Sequence, residues 1–153
     1  MTQTLDELLE TFDLLGDDWE ERFRYIISLG KQLPPMPPEA MIEENRVQGC
    51  QSQAWLIARE EPADAGSSPK LEFLADADAF IVRGLIAILL LVYSHHTPQE
   101  ILAFDINGLF SKLGLDRQLT PARSNGLHSM VKKIQAFARK IQKTPLDTSG
   151  VGH

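Results

Sequence analysis

Apolar residues recur along this chain with two periods. Leu5, Leu8, Leu9, Phe12 and Leu15 fall on one face of a helix. Thr4 and Glu7 precede that stripe at the spacing of a capping box, and Gly16 is placed to end the helix in a left-handed cap. Asp17, with Glu20 three residues on, predicts a second cap, and Trp19, Phe23, Ile26 and Ile27 then repeat at helical spacing toward Gly30. These two helices are expected to pack as a hairpin. Pro34-Pro35-Met36-Pro37-Pro38 lacks the backbone donors that a helix or central strand needs, so it predicts a stiff loop.

Past that loop the period shortens. Residues 45–47 predict an extended segment, Gln48-Gly49-Cys50 a tight turn, and 52–59 a returning strand that begins with the apolar run Ala54 to Ala58. Residues 60–69 have the Gly, Ser, Pro and acidic content of a loop, and 70–74 alternate as a third strand would. An antiparallel sheet of about three strands needs helices packed on one face.

The second half supplies them. Asp76 or Asp78 can cap a helix running to about His95, apolar nearly all round and therefore central. Thr97-Pro98-Gln99-Glu100 combines a cap, a first-turn proline and the box glutamate. Asp105 predicts a short helix ending near Gly114, and Thr120-Pro121 opens the last one, with Leu127, Met130, Val131, Ile134, Phe137 and Ile141 as its stripe. Trp19 and Trp55 are expected in the core. The fold class predicted is α+β, in one domain over 1–143, with a disordered tail over 144–153.

Length and charge narrow the function classes. A chain of 153 residues suits one domain with a sizeable core. Acidic residues outnumber basic ones, 21 against 15, and the nearest basic cluster, Lys132-Lys133, is expected to be a solvated helix face. Nucleic-acid binding, which needs clustered positive charge, is not expected. The apolar run from Gly84 to Tyr93 is too short to span a bilayer, and the acidic N-terminus has no secretory pattern, so a cytoplasmic protein with no membrane partner is expected.

Candidate chemistry rests on one residue. Cys50 is the chain's single cysteine, which excludes an internal disulfide and a dithiol site. Zinc sites need about four ligands, and one Cys with four His, two of them adjacent at His95-His96, predicts no metal centre. A cysteine hydrolase would need His95 or His128 as base, and neither stands in a hydrolase signature. A lone cysteine is commonly a small buried apolar residue. Its place between Gly49 and Gln51-Ser52-Gln53, in a turn, argues instead for a thiol that can enter a partner's pocket.

Gly49-Cys50-Gln51-Ser52-Gln53 followed by Ala54-Trp55 resembles the SufE sulfur acceptors. The resemblance extends from about Leu5 to Lys140. It includes 19–27, 76–85 (Asp76-Ala77-Asp78-Ala79-Phe80-Ile81-Val82-Arg83-Gly84-Leu85), 97–101 and 119–127 around Pro121-Ala122-Arg123-Ser124-Asn125-Gly126. The triplet after Cys50 is similar to the SufE branch rather than its CsdE sister. Residues 107–111 depart from the family pattern, with Leu109 where relatives tend to carry Trp and Ser111 where they carry an acidic residue. No acidic partner for Arg123 is expected from that segment.

The resemblance implies an accessory protein of a pyridoxal-phosphate cysteine desulfurase of the SufS kind. Cys50 would take persulfide sulfur and pass it to an iron–sulfur scaffold complex. It implies no cofactor of the chain's own, and it leaves a homodimer open. It also implies that Cys50 is tucked against apolar groups at rest, that Gly49, Gln51, Ser52 and Gln53 meet the partner, and that Asp78 and Arg123 act in docking. A non-catalytic interaction module with an incidental cysteine is the alternative, ahead of a hydrolase.

Overall fold

Thr4 starts the fold. Its hydroxyl accepts from the Glu7 N–H at 3.1 Å and its own N–H donates to the Glu7 carboxylate at 2.9 Å, which completes the capping box of α1 (Leu5–Leu15). The computed structural model describes residues 4–48, 53–61 and 68–151, with side chains through 141. Gly16 ends α1 with φ +60° and ψ −140°, a positive φ outside the left-handed helical region that was expected. The linker closes through Asp18 N–H to the Leu15 carbonyl, so Asp18, not Asp17, caps α2 (Trp19–Gly30) by accepting from Glu21 N–H at 3.2 Å. The Arg22 guanidinium lies 5.0 Å from the Phe12 and Trp19 ring centroids and donates to the Phe12 carbonyl at 2.8 Å. It ties the two helices together, with Trp19 half-buried at the core margin.

Two 3-10 turns, Pro38–Ala40 and Glu43–Asn45, follow the proline loop. The second consumes the start of the expected first strand. What remains there is one bridge, Arg46 to Trp55, with Val47 N–H donating to the Ala54 carbonyl at 2.8 Å. Among the described residues the sheet therefore has two strands, β1 (Ala54–Glu61) and β2 (Lys70–Ala77), where about three were expected; they pair antiparallel from Ala54 opposite Ala77 to Glu61 opposite Lys70. Ala54 and Leu56 on β1 point into the core with Leu71, Phe73, Ala75 and Ala77 on β2, while Trp55 is half-buried.

Strand β2 runs past the expected end at residue 74 because Ala75 and Ala77 still pair and still bury. That displaces the helix start. Helix α3 (Phe80–Tyr93) has Ala79 at its N-cap and no side-chain cap, so neither Asp76 nor Asp78 caps it. Asp76 accepts from Ala77 N–H at 2.8 Å and pairs with Arg83 at 3.0 Å. Helix α3 packs on α2, β2 and α7 and is the centre of the domain, as its apolar circumference predicts.

Thr97 and Glu100 form the predicted box of α4 (Pro98–Ala103). Asp105 caps α5 (Ile106–Leu113), and Gly114 ends it in the left-handed region at φ +78°. A short α6 (Leu115–Gln118) leads to α7 (Pro121–Val151), where Leu127, Met130, Val131, Ile134 and Ala138 are buried. The predicted tail, 144–153, falls beyond the last described side chain. The class is the predicted α+β, a small antiparallel sheet against helices. No helix among the described residues is long and apolar enough to cross a membrane.

Candidate functional site

Gly49, Cys50, Gln51 and Ser52 lie outside the described residues, and Gln48 and Gln53 flank them. The structure fixes where that segment leaves and rejoins the fold. On the entering side, Val47 N–H bonds to Ala54. On the returning side, Gln53 N–H donates to Asp78 Oδ1 at 3.1 Å, and Asp78 N–H donates to the Gln53 carbonyl at 3.0 Å. Ala54 opposes Ala77, so Gln53 and Asp78 add one more rung to the ladder, with a carboxylate oxygen as one acceptor. Asp78 thus has a role that neither a helix cap nor docking requires: it holds the first described residue after the cysteine.

Removing that acceptor should cost little but measurably. Asp78→Ala is expected to lose about 1 kcal/mol, a fall of about 2–4 °C in Tm, and Asp78→Asn, which keeps a side-chain oxygen, should melt close to the unsubstituted protein. Thermal melts of the two variants check this, and equal melting of Ala and Asn variants would count against the bond.

Lys133 was missed as a neighbour of this region. Lys132 is exposed as expected, but Lys133 is partly buried, and its Nζ donates to the Arg46 carbonyl at 3.1 Å. Burial holds its pKa below the ordinary lysine value. The available signal was position: Lys133 adjoins Ile134 at the edge of the α7 apolar stripe, where a long side chain lies along the core margin.

Arg123 stands apart from these contacts. It is exposed in the first turn of α7, with its N–H donating to Thr120 Oγ1 at 3.3 Å. Among the described residues no ion pair involves Arg123 and no bond joins it to Asp78. Ten residues separate it from Lys133, about 15 Å along the helix. Ser111 is exposed and Leu109 is buried in α5, so that segment gives Arg123 no acidic partner.

His95 and His128, the two candidate bases, are both engaged. His95 donates its N–H to the Leu71 carbonyl and pairs through Nδ1 with Glu61, at the end of the sheet away from Ala54. The six strand steps from Ala54 to Glu60 make that roughly 20 Å. His95 also lines a cavity of about 240 Å³, together with Leu29, Phe73 and Leu90 among others. His128 is exposed, its Nδ1 bonded to the Ser124 carbonyl at 2.8 Å. Among the described residues no group of three or more His, Cys, Asp or Glu could hold a metal ion.

The chain matches the family model SufE, described as an Fe-S metabolism associated domain, over residues 6–138. It is 46% identical over 136 residues to an uncharacterized SufE-like protein of Rhizobium etli, covering 89% of this chain and 90% of the relative. A second uncharacterized SufE-like protein, from Rhizobium meliloti, is 44% identical over 135 residues, covering 88% and 94%. The solution structure of a hypothetical protein from Thermus thermophilus superposes with a TM-score of 0.69 at 25% identity, covering 92% of this chain and 96% of that one.

Proposed function

Because this chain belongs to the SufE family, whose model spans residues 6–138, we propose that it is a sulfur acceptor and activator of a cysteine desulfurase, with Cys50 as the accepting thiol. The observation that carries this reading is the family match over most of the chain, together with a single cysteine set in Gly49-Cys50-Gln51-Ser52-Gln53. The anchoring of Val47 to Ala54 and of Gln53 to Asp78 supports it, because both ends of the cysteine segment join the rigid sheet.

The chemistry needs one thiol. The desulfurase holds sulfur as a persulfide on its own cysteine. The Cys50 thiolate attacks the outer sulfur, a new S–S bond forms at Cys50, the donor S–S bond breaks, and the donor thiolate leaves. One persulfide and one thiol become one thiol and one persulfide, with the Cys50 proton ending on the released donor, so no outside oxidant or reductant enters. A second exchange hands the sulfur to an iron–sulfur assembly scaffold in the cytoplasm. Pyridoxal phosphate belongs to the donor enzyme. Gly49, Gln51, Ser52 and Gln53 meet the donor.

Intact mass after incubation with a cysteine desulfurase and cysteine tests this. The expected product is the chain plus sulfur that reductant removes; an unchanged mass would sink the proposal in favour of an interaction module.

Arg123 enters as a docking residue. A cation in the first turn of a helix opposes the helix dipole, and its exposure leaves it available to an anionic partner group. Arg123→Ala is expected to leave stability within about 0.5 kcal/mol of the starting value and to weaken desulfurase activation about tenfold, mostly through association. A variant that melts early yet activates normally would return Arg123 to a structural role.

A further inference from the structure

Lys133 reaches Arg46, just ahead of the cysteine segment, from a helix 87 residues away in sequence. Its target is the carbonyl of Arg46, which shares a peptide unit with the N–H of Val47. That unit is planar and trans, so its C=O and N–H point in opposite directions. The N–H is bonded to Ala54 on β1 at 2.8 Å, and the C=O to Lys133 on α7 at 3.1 Å. One peptide plane is therefore gripped from both sides, just before the chain enters the cysteine segment. At the other end Asp78 does the equivalent for Gln53, taking its N–H on the carboxylate and donating to its carbonyl.

We infer that Lys133 is a positioning residue for sulfur transfer: with Asp78 it clamps the two ends of the segment that carries Cys50. The inference rests on the sulfur-acceptor reading. A hydrogen bond from an ammonium is stronger than one between neutral groups, and partial burial of Lys133 shields it from competing water. The clamp fixes the direction in which the chain leaves the sheet on either side of the thiol. A persulfide exchange needs attacking, transferred and leaving sulfur in line, so looseness at either end lowers the transfer rate more than the affinity for the donor.

The test uses the full chain with Lys133→Met, which keeps the buried stem and loses the donor, and Lys133→Arg, which restores a cationic donor. Residue-resolved amide exchange in Lys133→Met is expected to speed at Val47 by about tenfold. Leu71, whose N–H bonds to His96 toward the other end of the sheet, should stay unchanged. With a cysteine desulfurase and cysteine, the saturating rate of sulfur uptake is expected to fall about tenfold while the half-saturating desulfurase concentration holds. Lys133→Arg should recover both readouts to within about threefold. Unchanged exchange at Val47, an equal rise at Val47 and Leu71, or no recovery by arginine would each overturn the clamp. Faster Val47 exchange with normal uptake would overturn its link to transfer. If the unsubstituted chain takes up no sulfur while Val47 responds as stated, the sulfur-acceptor reading fails and the clamp stands on exchange alone.

Discussion

Cys50→Ser is expected to abolish sulfur uptake while leaving the fold intact. Cys50 is the only thiol in the chain, so no other side chain can take its place. A serine hydroxyl ionises far above the thiol range, and it has no stable counterpart of a persulfide. The fall in uptake should therefore be complete rather than partial. Stability should move by less than about 1 kcal/mol, since the exchange replaces one atom by a smaller one. The described core, from Leu8 through Leu56 and Leu89 to Ile134, is assembled from other residues. Intact mass and a thermal melt on the same sample separate the two effects. Reductant-labile sulfur on the serine variant would show that transfer does not go through Cys50. A variant that fails to fold would point to a packing role for the side chain.

Local rules carried the sequence furthest where one short stretch holds all the information. The boxes at Thr4 and Thr97 and the Asp105 cap each need residues only three apart, and all three form. The central place of α3 follows from apolarity all round a helix, which only the interior satisfies. Boundaries were lost where a tertiary contact outbid a local signal. Asp76 and Asp78 both suit a helix cap, but burial of Ala75 and Ala77 against β1 kept the chain extended and moved the start of α3 to Phe80. The expected first strand failed for the opposite reason, because a 3-10 turn at Glu43–Asn45 left too few residues to pair.

For the candidate site, Cys50 was singled out by its uniqueness and the composition around it, and it lies outside the described residues. Asp78 was named from family resemblance, but its bond to Gln53 could not be read from the sequence, since it crosses 25 residues. For Lys133 the stripe-edge position signals a stem along the core margin but not the acceptor, because such a lysine looks the same whether its tip points to water or to a carbonyl across the fold.

Gly84→Ala is expected to destabilise the domain by about 3 kcal/mol, a fall in Tm of roughly 6–12 °C. Helix propensity predicts the reverse, a gain of about 1 kcal/mol for alanine over glycine inside a helix. Sterics decide the sign. A Cβ on Gly84 would overlap the Ile26 carbonyl oxygen and lie 2.6 Å from its carbon and 2.7 Å from Ile26 Cγ2. A Cβ on Gly30 would lie 2.7 Å from the Gly84 nitrogen. The two glycines thus let α2 and α3 cross backbone to backbone. The obstructing atoms are mostly main chain, which cannot swing aside as a side-chain tip can, so the helices must separate and lose dispersion contacts along the crossing. Gly30→Ala should destabilise as well, and the double variant by less than the sum, since helices already parted accept the second methyl more easily. Denaturant melts of the two single variants and the double measure this directly. A Gly84→Ala protein as stable as the parent would mean that α2 and α3 do not approach this closely, and strict additivity would mean that the two glycines do not share one crossing.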